Sequence, residues 1–194
     1  MKGLSYMDKA LIEKKVGELF ERIGYDGDRE EIDIIQIAKK LGFAVGNALL
    51  DNDDDGFIIV QEGVDNILGI KTDKLIGVNS KRTLEWKRFI IAHEIAHYIL
   101  HYSNEKRNGM YAHRDHKKGK NDLENDADYF AASLLMPRDK FTKKYIELKE
   151  KELSLEEIVL LLANKFVATP ATIKRRIEEL RLNGWKKGIW EHSK

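Results

Sequence analysis

Two histidines four residues apart, with a glutamate directly after the first, make His93, Glu94 and His97 an HExxH motif inside the apolar run "FIIAHEIAHYILH". On an α-helix, residues four apart share a face about one turn apart, so both imidazoles can reach one cation. Glu94, beside the first of them, can hold a water at that cation and take its proton, while zinc lowers the water's pKa toward roughly 7 and polarises a substrate carbonyl. That is the chemistry of peptide-bond hydrolysis. Burying these three side chains among Phe89, Ile90, Ile91, Ile95, Ile99 and Leu100 is costly unless each is bonded, paired or metal-bound. A metal ion is the simplest way to satisfy all three. The bland reading, a chance match on an ordinary core helix, leaves that cost unanswered.

A catalytic zinc site takes three protein ligands and keeps a fourth position open. His101 lies eight residues, about 12 Å of helix rise, beyond His93, too far to share one ion with both histidines; it is expected to be structural or to anchor a loop. The pattern HExxHxxGxxH would need a glycine and a histidine where this chain has Leu100 and Ser103. The third ligand must therefore come from another helix. The segment "ENDAD" offers Glu124 and Asp126, about 200° apart around a helix, so only one of them can face the metal. Glu124 has the longer reach, and the small Ala127 one turn on lets the helices approach closely. Asp128 is placed to accept a hydrogen bond from the outer nitrogen of a ligand histidine.

These side chains need elements to hold them. Apolar residues recur at helical spacing from about Asp8 to Ile23, and again in "EEIDIIQIAKKLG", where Gly42 sits at the C-terminal stop. "FAVGNALL", "GFIIVQ" and "NILGIKTDKLIGVNS" are rich in Val and Ile and broken by turn residues, which predicts a small, mainly antiparallel sheet with hairpin turns. "TLEWKRFIIAHEIAHYILHYS" opens with Thr83 as N-cap and predicts a buried helix carrying the HExxH motif. Residues 103 to 122 are polar, basic and aperiodic, the pattern of a long exposed loop. "LENDADYFAASLLMP" returns to helical spacing and stops at Pro137, and a further helix is expected over 138 to 151. The last third predicts helix, short turn, helix, with Ser154 and Thr169 as caps and Pro170 in the first turn. The fold class expected is α+β, with the sheet packed against a helical core.

"FIIAHEIAHYILH", "YAHRD" and "LENDADYFAASLLMP" together resemble the ImmA/IrrE family of metallopeptidases. That family's hallmarks are an HExxH helix and an E-x-[ED]-A-x-x-F-A-x-x-L-L-M-P helix. The resemblance spans about residues 30 to 140, and "ANKFVATPATIKRRIEEL" beyond it is similar to a helix-turn-helix remnant in the family's tail. It implies a zincin-like metallopeptidase domain over 1–140 and a helical, helix-turn-helix-like subdomain over 141–194. It also implies that His93, His97 and Glu124 bind zinc, that Glu94 is the base, and that the substrate is an XRE-type helix-turn-helix repressor of a prophage, mobile element or stress regulon. Asp126 stands where glutamate is commoner in the family, which leaves positions 124 and 126 both open as the third ligand.

Composition narrows the alternatives. The 194 residues carry 34 basic and 33 acidic side chains, so no global field draws the chain to nucleic acid or anionic lipid. There is no cysteine, leaving histidine and carboxylate as the strong metal ligands. The charged N-terminus and the absence of a long apolar run predict a soluble, cytoplasmic protein. "DNDDDGFIIVQE" fits a calcium-loop pattern through Asp51, Asp53, Asp55, Gly56 and Glu62, but its strand-like flanks favour an acidic hairpin turn. Lys174, Arg175, Arg176, Arg181, Lys186 and Lys187, with Trp185, form a local basic patch. It underlies the alternative function, a non-proteolytic zinc-containing anti-repressor or DNA-binding regulator acting through the C-terminal helices. His113 and His116 are expected to be exposed in the basic loop, with Arg114 and Asp115 ordering it over the cleft.

Overall fold

The computed structural model describes residues 7–25, 31–51, 54–61, 63–101, 110–115 and 122–184, the stretch 110–115 by its backbone. Asp8 and Asp33 open the first two helices by accepting the backbone N–H of Ala10 and Gln36 at 3.0 and 2.9 Å. These are α1 (Lys9–Arg22) and α2 (Ile34–Lys40), which bury Ile12, Val16 and Leu19, and Ile34, Ile37 and Ala38. Gly42, at φ +87°, lets the chain leave α2 and turn into β1 (Ala44–Ala48). β2 (Asp54–Val60), β3 (Lys74–Asn79), α3 (Leu84–Leu100), β4 (Met110–Asp115) and α4 (Asp122–Leu135) follow. Then come α5 (Arg138–Lys149), α6 (Leu155–Phe166), α7 (Pro170–Glu179) and a closing 3-10 turn at Leu182–Gly184.

The four strands form one sheet in the order β1-β3-β2-β4. β2 runs antiparallel to β3, with Ile58 opposite Ile76, and antiparallel to β4, with Ile58 opposite Ala112. β1 runs parallel to β3, with Val45 opposite Ile76. The sheet is thus mixed. Since β1 and β2 are not neighbours, the acidic segment between them is a crossing connection, which corrects the hairpin expected there. A second correction concerns residues 103 to 122, expected to be loop throughout: Met110–Asp115 pairs along β2 as an edge strand. Strand formation here is decided by a tertiary partner, whereas the basic composition around it signals only solvent.

Both faces of the sheet are covered. Ile58, Val60, Ile76 and Val78 belong to the main core, while Phe57, Ile59 and Leu75 gather with Ile67 on the other side. Gly56 shows how closely the sheet lies on α3: a Cβ there would come 2.5 Å from Ile90 Cγ2 and 2.7 Å from the Gly77 carbonyl oxygen. α3 itself is buried continuously from Arg88 to Tyr98, as expected of a helix that is apolar on every side. It packs along α4, and the fully buried Ala92, Ala96, Ala127 and Ala131 keep the two backbones near each other.

The C-terminal helices join the same core. Ser154 and Glu157 form a reciprocal capping box at the start of α6, and Thr169 caps α7, whose first residue is Pro170. Arg88 on α3, only 7% exposed, donates to Glu31 Oε1 at 2.9 Å, to the Ile32 carbonyl at 2.8 Å and to the carbonyl of Val167 at 3.2 Å, the residue that ends α6 in the left-handed region. Arg176 on α7 is fully buried and donates to the Met136 carbonyl, to Ser133 Oγ on α4 and to Glu13 Oε1 on α1. Among the described residues no helix is long and apolar enough to cross a membrane.

Candidate metal centre

Thr83 sets the start of α3 by accepting the Trp86 N–H, and from that start the helical period carries His93 and His97 onto the side facing α4. Their Nε2 atoms lie 2.9 Å apart. Glu124, in the first turn of α4, brings Oε2 to 3.2 Å from His93 Nε2 and Oε1 to 3.3 Å from His97 Nε2. The three donor groups lie within 4.8 Å of one another, two of them buried and one partly so. Donors placed 2.0–2.1 Å from a tetrahedral ion stand about 3.3 Å apart, so this triangle matches one face of such a site. The chemistry of the set fits as well: two imidazole nitrogens and one carboxylate oxygen are zinc ligands, and the helix on either side supplies no competing thiolate.

The outer nitrogens explain why the inner ones point lone pairs into the cluster. His93 Nδ1 lies 3.1 Å from Asp128 Oδ1, and a carboxylate can only accept, so the ring proton sits on Nδ1 and Nε2 is left as a donor to a metal. His97 Nδ1 lies 3.0 Å from His101 Nδ1, one turn further along α3. With His97 donating, its Nε2 is likewise free to coordinate. Burial pushes the His97 pKa down, and burial followed by the neighbouring His97 lowers that of His101 to about 4, so both rings are held neutral, the form in which imidazole binds metals. In the metal-free form an Nε2–H of His93, and then of His97, can instead donate to Glu124 and hold its carboxylate well below the usual range. Glu94 follows His93 on α3 and is 1% exposed.

Of the two acids open from spacing, the structure brings Glu124 to the histidines. Asp126, buried on the other side of α4, instead takes the backbone N–H of Met7 on both carboxylate oxygens at 3.3 and 3.2 Å, and burial raises its pKa. Asp128 Oδ1 lies against the outer nitrogen of His93. His101, expected to be structural, contacts His97 directly; its i,i+4 offset from His97 is the same signal that paired His93 with His97. Sequence reasoning also missed Arg175. Read as part of a basic surface, it donates from NH1 to Asp128 Oδ2 at 3.0 Å, and no local pattern announces a contact across 47 residues.

Other expectations are redrawn. Asp55 is fully buried within β2 and accepts Arg82 Nε at 2.6 Å and Trp86 Nε1 at 2.9 Å, so it is a structural anchor for the start of α3 and not a calcium-loop ligand. Asp53 and Glu62 lie outside the described residues, as do His116, Trp185, Lys186 and Lys187. His113, Arg114 and Asp115 fall on β4, in a strand and not in the loop expected.

A histidine pair on one buried helix, closed by a carboxylate from the next, is a donor set that could hold a metal ion. The family described as peptidase M78, IrrE N-terminal-like domain, matches residues 35–178, and this chain belongs to it. Among solved structures, a Mycobacterium tuberculosis transcriptional regulator shares the fold with a TM-score of 0.53 at 16% sequence identity, over 87% of this chain. The chain spans 46% of that regulator's length. No curated protein matches the chain in sequence.

Proposed function

We propose that this protein is a zinc-dependent endopeptidase that cleaves a helix-turn-helix transcriptional repressor in the cytoplasm. His93, His97 and Glu124 are its metal ligands and Glu94 its general base. The observation that carries the reading is the convergence of His93 Nε2, His97 Nε2 and the Glu124 carboxylate, with Glu94 one residue from the first ligand on the same helix.

When bound, zinc supplies Lewis acidity to the scissile carbonyl and lowers the pKa of an attacking water toward roughly 7. Glu94 takes that water's proton on its carboxylate and returns it to the leaving amine nitrogen. His93 and His97 stay neutral, His93 oriented by Asp128 and His97 by its contact with His101. His93 and Glu94 are each 1% exposed, so bulk water screens their interactions little.

Membership of a peptidase family supports a protein substrate. The repressor as substrate follows from the resemblance to ImmA/IrrE proteins, and the solved relative is itself described as a transcriptional regulator. In this reading residues 1–140 form the zincin-like peptidase domain and 141–194 a helix-turn-helix-like subdomain. The non-proteolytic alternative, DNA or repressor binding by the C-terminal basic patch, is weakened because Arg176 is fully buried and Arg175 is tied to Asp128 and Glu179. Glu94→Gln separates the two. It retains metal and fold, since Glu94 is not a ligand, and is expected to abolish cleavage of a repressor encoded beside this protein and co-expressed with it. Relief of repression that survives the substitution rules out the peptidase.

A further inference from the structure

The Arg175 guanidinium is held at two points. Nε donates to Glu179 Oε1 at 2.9 Å, one turn along α7, and NH1 donates to Asp128 Oδ2 at 3.0 Å on α4. Asp128 is 2% exposed and its other oxygen, Oδ1, faces His93 Nδ1. A chain of charge-assisted hydrogen bonds therefore runs Glu179, Arg175, Asp128, His93 and ends at Nδ1, across the ring from the coordinating Nε2. The neighbouring Arg176 makes its hydrogen bonds elsewhere, into Met136, Ser133 and Glu13, with Glu179 Oε2 at a longer 3.8 Å. Adjacent arginines on one helix thus divide two tasks, one gripping the core and the other reaching the metal centre.

We propose that Arg175 is a positioning residue of the metal centre: its planar fork fixes the Asp128 carboxylate against His93 and so holds His93 Nε2 in coordinating orientation. This rests on the reading of His93, His97 and Glu124 as a zinc site. A lone carboxylate against an imidazole can swing about its χ2 axis, and a guanidinium already locked by Glu179 removes that freedom. An ammonium at the same place offers three donors on a single nitrogen, without the rigid fork that spans the two carboxylates. The C-terminal helix is then part of the metal centre, although the three ligands all lie on α3 and α4.

The test is a thermodynamic cycle on the full chain with zinc ion as probe, using chelator competition for affinity and thermal melting of the metal-free protein for stability. Arg175→Met is expected to weaken zinc binding about tenfold, within the range for an outer hydrogen-bond partner, and Arg175→Lys by less. In an Asp128→Asn background, Arg175→Met is expected to add nothing further, because its route to the metal is already cut. Wild-type zinc affinity in Arg175→Met overturns the proposal. So do losses from Arg175→Met and Asp128→Asn that multiply, since Arg175 would then act on overall stability and not through Asp128. His93→Ala, measured in parallel, separates the premises: full zinc affinity in that variant defeats the metal-site reading itself.

Discussion

His101 Nδ1 lies 3.0 Å from His97 Nδ1, so the histidine pair of α3 extends by one more turn into a line of three imidazoles, each in contact with the next. The third ring lies beyond the reach of an ion held between the first two, but with His97 donating it accepts the proton that would fix the tautomer of the second. His101→Phe keeps the ring volume and removes that acceptor. Its expected effect is a loss of zinc affinity of about tenfold or somewhat more, read by chelator competition. Unchanged affinity would show that His97 is oriented by packing alone.

The same line of rings gives the metal-free protein an acid sensitivity of defined sign. Burial lowers the pKa of His97 and lowers that of His101 to about 4, from an ordinary value of 6.5. In the unfolded chain these rings take up protons through pH 6.5, while in the fold they resist until lower pH. The unfolded state therefore binds more protons across that window, and stability falls as pH drops from about 6.5 toward 4. Glu124, held low by the two histidines, acts in the same direction at more acidic pH. Urea denaturation of chelator-treated protein at stepped pH checks this, and a flat profile between pH 7 and 4.5 would contradict it.

Arg176 makes the opposite kind of contribution from its neighbour. It is fully buried, lies 5.5 Å from the centroid of the Tyr129 ring and shares Glu13 Oε1 with the Tyr129 hydroxyl. Replacing it with methionine leaves Glu13 and the Met136 carbonyl short of a donor, so a destabilisation of about 3 kcal/mol is expected. None of these partners touches the histidines, and Glu179 keeps its 2.9 Å bond from Arg175 when the 3.8 Å contact from Arg176 is lost, so zinc affinity measured on the folded fraction is expected to change by less than about twofold. A lowered urea midpoint with unaltered zinc binding is the confirming pair of measurements.

How much of this was legible beforehand follows the range of each signal. Local signals succeeded: the 3.6-residue period placed α3 and α4, Ser154 and Thr169 announced helix caps, and the four-residue offset paired His93 with His97. The residues around Ile58 gave no alternation because both faces of β2 are covered, so sheet order and the parallel β1 pairing left no trace in the pattern. β4 was missed because its strand character comes from the edge it pairs with. Arg175 looked like a surface cation because charge is local while its partner, Asp128, is brought near only by the packing of α7 on α4.

Glu124 and Asp126 provide the sharpest test of the site, since they are two residues apart on one helix and of the same charge. Glu124 faces the two histidines at 3.2 and 3.3 Å, whereas Asp126 faces the backbone of Met7. Glu124→Gln keeps the side-chain shape but replaces an anionic ligand oxygen by a neutral amide. It is expected to lower zinc affinity by more than about 100-fold, beyond the effect of losing an outer partner. Asp126→Asn is expected to keep zinc affinity within about twofold of wild type, its amide oxygen still accepting from Met7 with little change in stability. Chelator competition on the two variants side by side decides between them. If Asp126→Asn loses the metal and Glu124→Gln retains it, the assignment of the third ligand must be exchanged.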